Sequence, residues 1–295
     1  MTPNVALATC AELPDGDEDE RLLPPALAAR GIESRFAVWD DEAVDWSAFD
    51  LVVVRSTWDY TARRDAFLEW AHGVPRLLNP EPVLRWNTDK RYLDDLAAAG
   101  VPVVPTAFVV PGGPRPPLRG EVVIKPAVSG GSRDSGRFAP ERHREAHAHL
   151  TALQEGGRVA MLQPYLGSVD ERGETALLYL GGELSHAVRK GAILRPGGAP
   201  IGADDAVAGL FAAEDIAPRD ATAREREVGD TVVAHVRERF GPLLYERVDL
   251  VDDEAGEPRV LELELTEPSL FLGTSPGAPQ RFAGAIAASR RGQLG

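Results

Sequence analysis

Short apolar runs alternate with amphipathic segments in the first part of the chain. Val5–Thr9, Ile32–Val38 and Leu51–Val54 are predicted strands, and Arg21–Arg30 is a predicted helix that ends before Gly31. The run Leu51–Val54 is entirely apolar, which is typical of a parallel strand buried on both faces. Strands that alternate with helices predict a doubly wound α/β domain.

Later in the chain, the apolar runs are separated by longer breaks rich in Gly and Pro. Periodicity predicts helices at Asn87–Ala99, 141–155, Ala221–Phe240 and Pro279–Arg291. The first of these helices would have Asn87 or Thr88 as its N-cap. Strands are predicted at 101–110, Glu121–Lys125, Val159–Tyr165, Leu243–Val251 and Arg259–Leu265. A β-hairpin is predicted from Thr175–Leu180 and Glu183–Arg189, followed by a long loop or lid at 191–220.

The composition excludes several function classes. The chain has 295 residues, 43% of them apolar, and a formal net charge of −14, which suits a large α/β enzyme. An acidic chain repels the phosphates of nucleic acids and anionic membranes, so neither is an expected partner. No apolar run approaches the roughly 20 residues of a spanning helix, and the first residues lack the basic region of a signal peptide. We therefore expect a cytoplasmic protein, in which Cys10 is a buried structural residue rather than a nucleophile.

Two loops follow predicted strands of the first domain, where α/β sheets bind their ligands. They span residues 10–19 and 55–60, and the second reads Arg-Ser-Thr-Trp-Asp-Tyr. This segment is rich in side chains that bind ligands, although it could equally be a loop that caps a helix. The candidate substrate ligands are, by position, Arg55, Ser56, Thr57 and Asp59.

Acidic and apolar residues alternate regularly in the last predicted strand. In residues 260–265 (VLELEL), a period of two places Glu262 and Glu264 on one face of the strand. The three residues expected on the opposite face are Leu261, Leu263 and Leu265. The preceding strand places Arg247 and Asp249 on a shared face in the same way.

The register of this strand pair decides which side chains meet. We expect Val251 to pair with Val260, which places facing Cβ atoms about 5 Å apart. The facing pairs are then Asp249–Glu262 and Arg247–Glu264. Carboxylates this close favour a bound cation, and Mg²⁺ often takes one or two of them together with substrate phosphates. An ordinary solvent-facing strand with an Arg–Glu pair is the alternative.

Three of the 32 basic residues are lysines, and each adjoins a segment that could hold a nucleotide: Lys90, Lys125 and Lys190. Lys125 ends an apolar strand before a loop of small residues, whose backbone amides can surround phosphate oxygens. That loop contains Ser129, Gly130, Gly131 and Ser132. Lys90 could equally be a solvated helical residue, and Arg189 is an alternative to Lys190 as a phosphate ligand.

Further along, an extended segment could bind a purine through its backbone. It consists of Gln163, Pro164, Tyr165 and Leu166, and Glu174 then offers a carboxylate for ribose hydroxyls. The chain contains neither a P-loop nor a GxGxxG sequence, so a different nucleotide fold is indicated.

The order of these motifs resembles that of the ATP-grasp superfamily over residues 85–275. The metal-site signature of that superfamily, RVD followed by E-x-N and a proline, corresponds to residues 247–249, 262–264 and Pro268. Glu264 stands where the superfamily usually has Asn. Over nearly the whole chain, the sequence is similar to the RimK-like branch that contains the cyclo-ligases acting on O-ureido-D-serine. The segments that carry this similarity include TCAELPDGDEDERLL, VVVRSTWDY, RWNTDKRYL, VIKPAVSGGSRDS, SHAVRK and LELELTEPSLFLG.

This resemblance implies an ATP-grasp fold with α+β lobes at 89–165 and 166–295, preceded by the α/β domain at 1–88. It implies ATP and Mg²⁺ as cofactors and a small amino acid as substrate. The implied ATP ligands are Lys90, Lys125, Ser129, Gly130, Gly131, Ser132, Gln163, Pro164, Tyr165, Leu166, Glu174 and Lys190. The implied metal ligands are Asp249, Glu262 and Glu264. The implied catalytic residues are Lys125, Lys190 and Arg247, with Arg247 and Ser269 also as substrate ligands.

The implied reaction is a step of antibiotic biosynthesis. ATP phosphorylates the carboxylate, the substrate's own ureido nitrogen attacks the acyl phosphate to form the ring of D-cycloserine, and the carbamoyl group leaves as CO₂ and NH₃. Lysines would neutralise the phosphates, and Arg247 would stabilise the tetrahedral oxyanion. Two alternatives remain: a ligase that joins a carboxylate to a separate amine, and a non-catalytic nucleotide-binding protein. Self-association is also left open.

Overall fold

The first four strands of the computed structural model form a parallel sheet. They are β1 (Asn4–Thr9), β2 (Glu33–Val38), β3 (Leu51–Val54) and β4 (Leu77–Leu78), in the spatial order β2-β1-β3-β4. Alternate residues of β1 pack into two cores, with Val5 and Leu7 on one face and Ala6 and Ala8 on the other. Burial on both faces explains the continuous apolar runs and confirms the predicted α/β domain.

The structure describes residues 2–201, 215–290 and 292. The predicted lid at 191–220 therefore lies partly outside the described residues. Cys10 is buried, as predicted, and burial raises the pKa of its thiol to about 11. None of the helices in these ranges combines the length and the apolar character that crossing a bilayer requires.

The first predicted helix begins later than expected. A 3₁₀ turn at Glu20–Leu22 leads into α1 (Leu23–Ala28), because Pro24 and Pro25 fit only in the first turn of a helix. A further helix without a sequence prediction, α2 (Arg64–Gly73), packs against the same parallel sheet.

The predicted helix Asn87–Ala99 is wrong at its start. Two short helices are present instead, α3 (Glu81–Asn87) and α4 (Tyr92–Ala98), and Lys90 lies in the turn between them. Asn87 ends α3 rather than capping α4, because its side chain hydrogen-bonds the backbone of a neighbouring strand. Its amide donates to the Leu263 carbonyl at 2.8 Å and accepts from the Leu265 N–H at 2.7 Å.

The second sheet is antiparallel and carries the predicted glycine loop. It consists of β5 (Ala107–Val109), β6 (Val122–Pro126), β7 (Gly136–Phe138) and β8 (Ala160–Pro164), in the order β5-β8-β6-β7. One helix, α5 (His143–Glu155), covers its apolar face. Lys125 lies on β6, and the loop between β6 and β7 contains Gly130 and Gly131.

The third sheet confirms the predicted hairpins. After a short helix, α6 (Ser168–Arg172), come β9 (Glu174–Leu180), β10 (Glu183–Lys190), β11 (Ile216–Arg219), β12 (Tyr245–Asp252) and β13 (Pro258–Glu264). Their spatial order is β11-β10-β9-β12-β13. One face packs on α7 (Ala223–Phe240), and the other packs on α8 (Ala278–Arg290) and the parallel sheet. A capping box of Thr222 and Glu225 starts α7.

A β-bulge lies in the strand pair that carries the acidic residues. The expected pairs Asp249–Glu262 and Arg247–Glu264 are confirmed, but Val260 pairs with Leu250 rather than with Val251. The extra residue is Leu261, so that Leu261 and Glu262 both line a cavity while Val260 packs in the core. The expectation that Leu261 lies on the face opposite Glu262 is therefore wrong, because the bulge interrupts the period of two.

A buried carboxyl on β12 makes the stability of this fold depend on pH. Glu246 is 1% exposed, and its Oε2 has no hydrogen-bond partner among the described residues. Burial raises its pKa to about 8 from an ordinary 4.5. The folded state therefore keeps this proton at pH values where the unfolded chain has lost it, and the free energy of unfolding falls as the pH rises from 4.5 to 8.

We expect Glu246→Gln to be more stable than the wild type at pH 8, by on the order of a few kcal/mol. At pH 5 the difference should be much smaller, since the wild-type carboxyl is then protonated in the fold. Urea unfolding at both pH values measures this. Glu227→Gln, on the exposed side of α7, is the matched control and should show no pH-dependent gain. Equal stability of Glu246→Gln and wild type at pH 8 would contradict the prediction.

Candidate active site

A cavity of about 810 Å³ lies where the three sheets meet. Most residues predicted to bind ligands line it, although they come from distant parts of the chain. They are Lys90, Lys125, Ser129, Gly130, Gly131, Ser132, Gln163, Pro164, Tyr165, Leu166, Glu174, Lys190, Arg247, Glu262, Glu264 and Ser269. The volume is within the usual range for ligand-binding pockets.

Two lysines meet at Glu262. The Nζ of Lys90 lies 3.0 Å from Glu262 Oε1, and the Nζ of Lys125 lies 3.5 Å from Glu262 Oε2. Lys90 also donates to the Ser129 carbonyl at 2.7 Å, which ties the turn before α4 to the glycine loop. Burial alone would raise the pKa of Glu262, but the two ammonium groups outweigh it and hold that pKa well below its usual range. Both lysines therefore remain beside a charged partner that an incoming phosphate could replace.

The third lysine, Lys190, is the last residue of β10 and pairs with two other carboxylates. Its Nζ is 2.8 Å from Asp249 Oδ2 and 3.1 Å from Glu174 Oε2. Arg189 instead pairs with Asp215 at a more exposed position and does not line the cavity. Of the two adjacent basic residues, the geometry favours Lys190 as the phosphate ligand.

Arg247 is held in a fixed orientation inside the cavity wall. Its guanidinium binds Asp249 through two parallel hydrogen bonds of 2.9 Å, and it also pairs with Glu264. The guanidinium carbon lies 5.5 Å from the centre of the Phe271 ring. A planar bidentate pair of this kind fixes the direction in which the remaining N–H groups point.

The three predicted metal ligands differ in their access to the cavity. Glu262 and Glu264 line the cavity, whereas Asp249 is 1% exposed and lies behind Lys190 and Arg247. Across residues 2–201 and 215–290, no three Asp, Glu, His or Cys side chains converge as a preformed metal cluster. Mg²⁺ commonly binds one or two carboxylates and completes its shell with substrate phosphates and water. The two cavity-facing carboxylates fit a metal that arrives with a nucleotide.

Glu264 differs from its neighbour in electrostatics. Burial, together with the charges of Glu262 and Asp249, raises the pKa of Glu264 to about 7, although Arg247 opposes this. An added cation would favour the ionised form of this carboxyl. The acidic residue at this position therefore strengthens the preference of the hairpin for positive charge.

The glycine loop turns sharply in the cavity wall. Gly131 and Ser132 both have left-handed backbone, with φ of 58° and 57°. A tight turn of this kind can direct successive backbone N–H groups at one anion. Beyond the loop, the Asp134 N–H donates to the Ile201 carbonyl at 2.7 Å, and the Ile201 N–H donates to Ser135. The loop is thereby joined to the described end of the segment that follows β10.

One end of the cavity is apolar, which the sequence reasoning missed. The segment Gln163–Leu166 borders this end together with Val104, Val123, Val169, Ile193, Leu194, Val251 and Leu261. Arg137 lies 3.4 Å from the centre of the Tyr165 ring and pairs with Glu121 and Asp170, which fixes this segment. This environment suits a flat aromatic base. The sequence reasoning missed it because strict alternation in β13 was assumed, whereas the bulge lets Leu261 line the cavity.

The four predicted substrate ligands of the loop after β3 do not line the cavity. Ser56 and Thr57 are fully buried, and Asp59 binds Trp39 and Arg63. Arg55 is 1% exposed and pairs with Glu20 at 3.0 Å. The structure therefore does not bring the predicted substrate ligands Arg55, Ser56, Thr57 and Asp59 to the cavity. Arg55, Ser56 and Asp59 bind other groups of the protein, and the buried Thr57 hydroxyl has no hydrogen-bond partner among the described residues.

Other residues of the N-terminal domain line the cavity instead. From the loop after β3, Trp58 and Tyr60 reach it. The loop after β1 contributes Leu13, Gly16, Asp17, Glu18, Asp19 and Arg21. Its acidic sequence and its position after a strand were the available signals. From the segment after β13, Glu267 is a further lining residue that the sequence analysis did not single out.

Comparison with known proteins places this arrangement in a family context. A family model described as the N-terminal domain of the D-cycloserine synthetase DcsG matches residues 5–79. The cycloserine biosynthesis protein DcsG of Streptomyces lavendulae is 40% identical over 285 residues, which cover 90% of this chain and 92% of that protein.

Solved structures agree with the sequence comparison. A crystal structure of the D-cycloserine synthetase DcsG has a TM-score of 0.87 and 38% identity, covering 97% of this chain and 99% of that one. A RimK domain ATP-grasp protein from Sphaerobacter thermophilus has a TM-score of 0.64 and 18% identity, covering 96% and 98%. The second similarity concerns the fold, which is that of ATP-grasp proteins.

Proposed function

The chain belongs to the DcsG family and is an ATP-dependent ligase that forms carbon–nitrogen bonds, and on this premise we propose that it converts O-ureido-D-serine to D-cycloserine. The observation that carries the proposal is the convergence of three lysines and Arg247 on one cavity. We further propose that the lobes follow the three sheets. Residues 1–88 then face the amino acid, and 89–165 and 166–295 hold ATP between them.

The side chains of the cavity supply charge and position for this reaction. Lys90, Lys125 and Lys190 neutralise the phosphate oxygens of ATP. Arg247, oriented by Asp249, stabilises the oxyanion that forms when the acyl phosphate is attacked. The apolar end beside Gln163–Leu166 holds the adenine, and Glu174 accepts from the ribose.

Mg²⁺ is the metal that the carboxylates suit. Glu262 and Glu264, with Asp249 behind them, would hold it, and the metal would screen the negative charge of the β- and γ-phosphates. The phosphate-binding lysines now paired with these carboxylates would then pair with phosphate instead.

Ring closure needs no nucleophile from the protein. The ureido nitrogen that is bonded to oxygen forms a bond to the carboxyl carbon, and phosphate leaves. Water then removes the carbamoyl group, which departs as CO₂ and NH₃. Attack within one molecule has a large advantage in effective concentration over attack by a separate amine.

We expect phosphate release from ATP, Mg²⁺ and O-ureido-D-serine without any added amine. Because the nucleophile is part of the substrate, one D-cycloserine should form for each phosphate. A coupled phosphate assay and mass spectrometry of the product measure the two yields. Turnover that appears only after a second amine is added would instead favour an intermolecular carboxylate–amine ligase.

A further inference from the structure

One carboxylate that lines the cavity forms no hydrogen bond or ion pair with the described residues. Among the described residues, seven acidic ones line the cavity, and five of them have a hydrogen bond or ion pair: Asp17, Asp19, Glu174, Glu262 and Glu264. Glu18 is exposed and therefore hydrated. Within the described part of the chain, the carboxylate of Glu267 has neither a hydrogen bond nor an ion pair, and the residue is partly buried at the cavity wall.

The backbone around Glu267 is fixed by three successive hydrogen bonds. The Thr266 carbonyl accepts from the Tyr245 hydroxyl at 2.8 Å, and the Glu267 carbonyl accepts from Trp58 Nε1 at 3.3 Å. The Pro268 carbonyl accepts from the buried Arg55 at 2.6 Å. Arg55 and Trp58 thus hold the segment from the side of the N-terminal domain, and Glu267 remains at the cavity wall.

The cations near Glu267 do not form an ion pair with it. Burial, followed by the charge of Glu264, raises its pKa to about 8, although Lys90, Arg247 and Arg55 act in the opposite direction. None of these three cations is within ion-pair distance, because each is engaged by another carboxylate. A partly buried carboxyl that lines a cavity without a partner is stabilised by a ligand of opposite charge.

The identity of that ligand follows from the rest of the cavity. A phosphate or a second carboxylate would be repelled by Glu267, so neither ATP nor a substrate carboxylate belongs there. An α-amino acid carries an ammonium and a carboxylate on adjacent carbons, and Arg247 lines the same cavity and donates to the Ser269 carbonyl, two residues after Glu267, at 3.2 Å. A single small amino acid can therefore face Arg247 with its carboxylate and Glu267 with its ammonium.

We propose that Glu267 is a specificity residue that binds the α-ammonium group of the amino-acid substrate. This deepens the proposed function and rests on it. Free α-amino acids are then the substrate class, and acids without the ammonium group are rejected. A charge-assisted hydrogen bond of this kind corresponds to about 10- to 100-fold in affinity.

The test compares O-ureido-D-serine with the same molecule that has hydrogen in place of the ammonium. Calorimetry with the full chain and a non-hydrolysable ATP analogue gives both dissociation constants. For the wild type we expect a preference of about 10- to 100-fold for the ammonium form. For Glu267→Gln the preference should fall below about threefold, mainly through weaker binding of the ammonium form. Glu254→Gln, in the exposed turn between β12 and β13 and away from the cavity, is the matched control and should keep the wild-type preference.

The outcomes separate the inference from the function on which it rests. Equal binding of both molecules by the wild type overturns the inference, whether or not Glu267→Gln folds. Equal losses for both molecules in a folded Glu267→Gln overturn it as well. Binding with the expected preference but without D-cycloserine formation contradicts the proposed function alone. If the wild type does not bind O-ureido-D-serine, the proposed function fails. D-serine against 3-hydroxypropionate then decides the inference by the same criterion.

Discussion

Substitution of Lys125 by alanine is expected to lower kcat/KM by on the order of 10²- to 10³-fold. Lys125 ends β6 directly before the glycine loop, and its ammonium lies at the cavity wall beside Glu262. A positive charge placed where phosphate charge develops is worth more here than in water, because the side chain is only 13% exposed. A phosphate-release assay with varied ATP measures the loss.

The fold should survive this substitution. Glu262 keeps its ion pair with Lys90 at 3.0 Å, so Lys125→Ala does not leave that carboxylate unpaired. The thermal midpoint should therefore stay within a few degrees of the wild-type value. Arg259→Ala removes a partly exposed cation from the neighbouring strand β13, away from the cavity, and should retain activity. A Lys125→Ala variant with wild-type turnover would eliminate the phosphate assignment.

Glu262→Gln is expected to raise the Mg²⁺ concentration for half-maximal activity by at least about 10- to 100-fold. The substitution keeps the size of the side chain but removes the charge that faces both Lys90 and Lys125. It should also weaken the coupling between metal binding and nucleotide binding. In the wild type, the nucleotide phosphates would replace Glu262 as the partner of the two lysines, and the Glu262 carboxylate would then bind the metal. A Mg²⁺ titration of ADP formation at saturating ATP measures the effect.

Glu264→Gln is the matched comparison. Its amide oxygen resembles that of the Asn which ATP-grasp proteins usually have at this position, so a smaller rise in the Mg²⁺ requirement is expected. Among the described residues, Glu264 pairs with Arg247 and has no ion pair with a lysine. An unchanged Mg²⁺ titration for Glu262→Gln, in a variant that still binds ATP, would count against the metal site.

The sequence predicted those parts of the site that depend on local pattern. Asp249 and Glu262 face each other because alternation along each strand sets the face. Lys125 and the glycine loop lie together because they are adjacent in the chain. The hairpin of β9 and β10 follows from two glycines between apolar runs.

The parts that sequence reasoning misplaced depend on contacts between distant residues. Asn87 resembled an N-cap, but its amide is used by the edge of β13, about 180 residues away. Arg55 resembled a substrate ligand, but it is neutralised by Glu20 and holds the Pro268 carbonyl. No local pattern distinguishes a polar side chain that binds a ligand from one that binds a remote backbone group.

The bulge at Leu261 has a consequence for how this site can change in evolution. Removing the extra residue would make Asp249–Glu262 and Leu250–Val260 successive pairs of a regular ladder, and every other side chain would keep its face. A single codon can thus be gained or lost here without moving the acids. The apolar residues of the cavity wall can therefore change without displacing the charged residues beside them. Related chains can then differ in strand length at this point and still catalyse the same reaction.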